Sequence, residues 1–115
     1  MRRWRSGQAR REALALLDGY TSAFRAGTLD GAAYASEVNA LLKRLWVRAH
    51  NRSNLAALTG DAWLEYLDER SRTKDFTEGP GQALGDNRFQ AQPTPPDPQL
   101  HKVVAALLKR SEAPR

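Results

Sequence analysis

Cysteine is missing from this chain altogether, which excludes disulfides and thiolate metal sites and permits a reducing compartment. Histidine occurs only as His50 and His101. Each stands without the i, i+4 histidine or adjacent carboxylates that a zinc site requires, so surface or helix-end roles are expected, with no metal and no cofactor. No apolar run reaches the roughly 18 residues that span a bilayer, and the opening residues lack the apolar core of a signal peptide, so the chain reads as soluble. No run of four or more residues alternates at period two, which leaves strands without support. There is no Gly-x-Ser-x-Gly elbow with a histidine partner, and no Gly-Lys-Ser/Thr phosphate loop after a strand. No internal repeat is visible, and no enzyme is expected.

At 115 residues the chain is the size of one domain. Apolar residues make up 41% and charged residues 27%, too apolar for a disordered chain and ordinary for a globular one. The net charge of +5 is concentrated at one end. Arg2, Arg3, Arg5, Arg10 and Arg11 account for all of it, and residues 12–115 hold 13 basic and 13 acidic side chains. A neutral body with a basic arm results, and Trp4 lies inside that arm. An arginine-rich arm with an interfacial aromatic is what the cytoplasmic flank of a transmembrane helix looks like, attracted to anionic lipid. A solvated tail accounts for it as well. The expected organisation is a basic flexible arm over 1–7 and a single helical domain over 8–115.

Helical spacing organises the rest. Ala13, Leu17, Tyr20 and Phe24 fall at spacings of 4, 3 and 4, predicting a first helix over about 8–26 that Gly27 ends in the left-handed conformation. Thr28 or Asp30 then caps a second helix reaching about His50, with Tyr34, Val38, Leu41, Leu42, Leu45, Trp46 and Ala49 on one stripe. The connector between them is short, so the two helices are antiparallel. Asn51 to Asn54 make a polar break, and Leu55 and Leu58 face the stripe. Thr59 caps a third helix with Trp63, Leu64 and Leu67 inside. The run Arg70 to Asp75 is expected to be polar and exposed, and Phe76 returns an anchor to the core. Pro80 opens a short helix that Gly85 ends. The segment from Ala91 to Pro98, AQPTPPDP, must be extended; at ~3.1 Å per residue it spans about 25 Å as a strap across the bundle. Asp97 and Pro98 start a last helix with Leu100, Val103, Val104, Leu107 and Leu108 in i, i+3, i+4, i+7, i+8 order. The fold class is all-α: a small bundle of four main helices, one or two short ones and the Pro-rich strap.

The polar residues on these helices suggest docking more than chemistry. Asp61, Glu65, Asp68 and Glu69 read as a charged outer face, with Asp61 favouring the helix dipole. Trp46 and Trp63 fall on apolar stripes, where core packing explains them better than base stacking. Val47 points about 180° from the stripe of the second helix, with Lys43 and Arg44 on its outer side. Ala40, Lys43, Arg44 and Val47 are thus a candidate partner surface, a small apolar centre with a basic rim suited to an acidic partner. A lone exposed valine is the plainer alternative.

Three segments carry a family resemblance: EVNALLKR from Glu37 to Arg44, TGDAWL from Thr59 to Leu64, and FTEGPG from Phe76 to Gly81. Together they resemble a bacterial domain of unknown function encoded beside MoxR-type AAA+ ATPases and von Willebrand factor A-domain proteins. The resemblance covers about Gln8 to Arg110. Members usually carry one transmembrane helix, an arginine-rich flank and then a cytoplasmic helical domain, and Met1 to Arg11 is similar to that flank. The resemblance implies MoxR-type and von Willebrand factor A partners, and a place at the inner face of the bacterial inner membrane where a transmembrane segment precedes the chain. It implies no catalytic residues.

The leading expectation is a non-catalytic helical adaptor, monomeric, accessory to that ATPase system. A small nucleic-acid-binding protein using the arginine arm is the alternative, and the neutral body argues against it, since five arginines give only weak, salt-sensitive, sequence-blind binding. A hydrolase would require convergent polar residues that the sequence does not offer.

Overall fold

The computed structural model describes residues 8–50, 60–85, 96 and 98–110, with side chains described at all of these except 9, 46–50 and 110. Among the described residues there are four α-helices and one 3-10 helix, and no strand. They are α1 (Gln8–Arg25), α2 (Gly31–His50), α3 (Gly60–Ser71), the 3-10 helix Pro80–Leu84 and α4 (Leu100–Arg110). The arm over 1–7, the Asn51 to Asn54 break, Leu55, Leu58, the Thr59 cap and most of the strap lie outside the described residues, as do the side chains of Trp46, Val47, Ala49 and His50.

α1 stops where the sequence provides a residue able to turn left-handed. Gly27 has φ +84°, and the N–H of Thr28 reaches back to the Ala23 carbonyl at 3.0 Å, so a carbonyl left open by the last turn is satisfied. The Thr28 hydroxyl donates to the same carbonyl at 3.1 Å. Thr28 therefore closes α1, and Asp30 opens α2, its Oδ1 accepting the Ala33 N–H at 2.8 Å. The two helices pack on each other through a stacked Phe24–Tyr34 pair with ring centroids 4.6 Å apart. Behind the stack a buried hydrogen bond of 2.9 Å joins the Thr21 and Tyr34 hydroxyls.

α4 also packs on α1, α3 and the 3-10 helix, and its Leu100, Val104, Leu107 and Leu108 are fully buried. Val103, expected on that stripe, is half-buried at its edge. Leu17, Val38, Leu42, Trp63, Leu67, Phe76 and Leu84 complete the core. α4 starts at Leu100 and not at Pro98, which sits in the turn before it. Pro96, within the strap, is buried against the start of α2, where a Cβ on Gly31 would come within 2.6 Å of its Cδ.

In the run Arg70 to Asp75, Arg70, Arg72 and Lys74 are exposed as expected, and Ser71 corrects that expectation. Ser71 is buried, and its hydroxyl lies 2.8 Å from that of Thr73, which in turn accepts the Asp75 N–H at 3.1 Å. Arg72 has φ +60°, the left-handed position after a helix that glycine usually fills, at a cost of about 1 kcal/mol for a side chain there. The Thr73 N–H closes the end of α3 on the Asp68 carbonyl at 3.2 Å.

Tyr34 links this packing to pH. Burial raises its pKa above the ordinary 10.0, opposed by the hydrogen bond from Thr21 and the charge of Arg25. Above pH 10 the unfolded chain loses this proton first, so the folded state binds more protons. The contribution is whole below the unfolded pKa and is lost as pH rises through the folded one. Denaturant unfolding at pH 9 to 11.5 should show stability declining more steeply in the parent than in Tyr34→Phe. Equal slopes would remove Tyr34 as a cause.

Candidate interaction site

The three motif segments meet in the fold, because α2 and α3 both pack on the 3-10 helix. Their polar and glycine residues serve that meeting. From EVNALLKR, Asn39 is buried and its Oδ1 accepts the indole N–H of Trp63 from TGDAWL. A buried indole needs such a partner, and Asn39 supplies it across two helices. From FTEGPG, Phe76 is fully buried and lies so close to Gly81 that an added Cβ would come within 2.8 Å of the Phe76 Cα. The Gly81 N–H bonds to the Asp75 carbonyl at 2.8 Å, which pins the turn.

Asp68 holds that turn to α3. Its carboxylate accepts the N–H groups of Phe76 at 2.8 Å and Thr77 at 3.3 Å, together with the Thr77 hydroxyl. The expected charged outer face is therefore Asp61, Glu65 and Glu69, all exposed, while Asp68 is a half-buried acceptor. His101 has the helix-end place expected of it, second in α4, and its Nε2 lies 2.7 Å from Asp18 Oδ1, tying α4 to α1.

A strip of rings and cations crosses from α2 to α3. The Lys43 Nζ lies 5.2 Å from the Trp63 ring centroid. Trp63 stacks on Tyr66 with centroids 5.7 Å apart and planes 13° from parallel, and the Arg70 guanidinium lies 5.2 Å from the Tyr66 ring. Trp63 is 1% exposed, Tyr66 is half-buried and Arg70 exposed. The spacing of Trp63, Tyr66 and Arg70, three then four residues, puts them on one side of α3.

Of the candidate partner surface, Ala40 and Lys43 are half-buried and Arg44 is exposed; the Val47 side chain lies outside the description. Lys43 turns toward α3 and is not free on the outer side of α2. Of the candidate membrane flank, Arg2, Arg3, Trp4 and Arg5 lie outside the described residues. Arg10 and Arg11 belong to α1, with Arg10 half-buried and Arg11 exposed. Among the described residues no group of three or more His, Cys, Asp or Glu side chains could hold a metal ion, and no helix is long and apolar enough to cross a membrane.

Fold and site together define a small all-helical domain whose marked residues lock helices and turns to one another. The family follows from the whole chain: a model described as Domain of unknown function (DUF4381) matches residues 1–110, and the protein belongs to that family. No curated protein and no solved structure matches it.

Proposed function

We propose that this domain is a non-catalytic helical adaptor, accessory to a MoxR-type ATPase and von Willebrand factor A-domain proteins at the cytoplasmic face of a bacterial membrane. One observation supports it most: the motif residues Asn39, Trp63, Phe76 and Gly81 are taken up by packing and turn formation. That leaves a rigid scaffold with half-buried Ala40 and exposed Arg44 along α2 as the contact surface. A modest interface of this kind combines a little apolar burial with charge that steers an acidic partner. The arginines before α1 then serve as an anionic-membrane contact, each contributing about 1 kcal/mol near the lipid surface.

The test is co-purification of the full chain with a MoxR-type ATPase and a von Willebrand factor A protein from the same genome. Arg44→Glu, at an exposed position, should change stability by no more than about 0.5 kcal/mol and reduce capture. A chain that captures neither protein refutes the adaptor reading, and undiminished capture by Arg44→Glu removes this face from the interface.

A further inference from the structure

We propose that Asp30 and Gly31 are the site at which this chain ages by forming isoaspartate, and that Pro96 is what holds the reaction back. Asp-Gly occurs twice, in identical Leu-Asp-Gly triplets at 17–19 and 29–31. A glycine after an aspartate has no side chain to hinder its own backbone nitrogen, which can attack the carboxyl carbon Cγ. An N–Cγ bond forms and a carboxyl C–O bond breaks, the oxygen leaving as water with the carboxyl and amide protons. Water then reopens the five-membered imide. Hydrolysis at the main-chain carbonyl leaves the backbone running through Cβ and Cγ, with that carbonyl now a free carboxylate and no net change of mass.

The two triplets share one chemistry and differ in their surroundings. Asp18 lies well inside α1, with helical turns on both sides, and its Oδ1 is 2.7 Å from His101 Nε2. Asp30 stands just before α2, and a helix end opens at far lower cost than a helix interior. Attack on Cγ requires Asp30 to turn about both χ1 and ψ. One hydrogen bond restrains each, from the Ala33 N–H to Oδ1 at 2.8 Å and from the Tyr34 N–H to the Asp30 carbonyl at 2.8 Å. Pro96 adds a third hold, buried against Gly31 so closely that a Cβ there would come within 2.6 Å of its Cδ. The fold itself therefore retains the labile pair. Capping favours Asp30, and Gly31, helical in backbone, is glycine because Pro96 leaves no room for a side chain. Isomerisation would insert a carbon between the cap and α2, withdraw the capping carboxylate and unseat Pro96.

The experiment is prolonged incubation of the full chain at neutral pH and body temperature, native and in concentrated urea. Trypsin puts the triplets on separate peptides, 12–25 and 26–43, and electron-transfer fragmentation distinguishes isoaspartate from aspartate in each. In urea the two sites should react at similar rates, since the triplets are the same. In the native chain reaction proceeds from the locally opened state, so position 30 should lead position 18 by about tenfold or more, the ratio of their opening constants. Pro96→Ala should raise the native rate at 30 about threefold and leave that at 18 unaltered. Absence of isoaspartate at 30 from the aged native chain, or native rates at 18 equal to or above those at 30, would overturn the proposal. Equal acceleration of both sites in Pro96→Ala would make global unfolding the gate, and no acceleration of either would remove Pro96 from it; each overturns the part given to the proline.

Discussion

Trp63→Ala is expected to cost about 3–5 kcal/mol, a large share of the total stability of about 5–15 kcal/mol for a domain. The ring is 1% exposed and stacks on Tyr66, so alanine leaves a cavity where the 3-10 helix, α2 and α3 converge. The loss extends beyond volume. Asn39 is itself buried and accepts the indole N–H, and an amide oxygen left there without a donor carries a penalty of about 1–3 kcal/mol. Trp63→Phe, which keeps one ring and loses the donor, should therefore show the polar part of the effect with a smaller cavity than alanine leaves. Equilibrium denaturation of both variants measures it, and a Trp63→Ala chain as stable as the parent would place the ring outside the core.

Gly81→Ala should be the next most damaging single change, at about 1–3 kcal/mol, the usual cost of forcing a methyl into filled space. The obstruction is the Phe76 backbone as well as its ring, since the new Cβ would lie within 2.8 Å of the Phe76 Cα and backbone cannot rotate away. Gly19→Ala is the natural control. That glycine lies inside α1 with nothing within 4 Å of an added Cβ, so alanine should stabilise by about 0.5–1 kcal/mol through helix propensity. Melting curves of the two variants should move in opposite directions, and a destabilised Gly19→Ala or an unperturbed Gly81→Ala would refute the packing assignment.

The helices were legible in the sequence where their apolar stripes are broad. Leu17 and Tyr34, Val38 and Leu42, and Leu100, Val104, Leu107 and Leu108 all lie where their spacing puts them, because the helical period is a local property that burial merely selects. Gly27 ends α1 in the left-handed conformation that its lack of a side chain permits, whereas Gly85 ends the 3-10 helix in an extended conformation open to any residue. The polar joints were not legible. Asn39 and Asp68 look like ordinary surface residues, and what buries them is a partner 24 and 8 or 9 residues away, information that no local period carries. The ring and cation strip is an intermediate case. The spacing of Trp63, Tyr66 and Arg70 could have marked one side of α3, but Lys43 joins only through the tertiary approach of α2.

The place of α4 in the bundle sets the order in which the molecule can be completed. The helix that fills the gap between α1 and α3 follows both of them in the chain, and its tie to α1 joins residues 83 positions apart. Until Leu100 to Leu108 emerge, the faces of Leu17 and Leu67 meant for them have no cover. A nascent chain thus carries α1 and α2 with an open apolar side until α4 has been made. Closing that loop has an entropic cost that grows only slowly with its length, so it is the order of completion that the late helix decides.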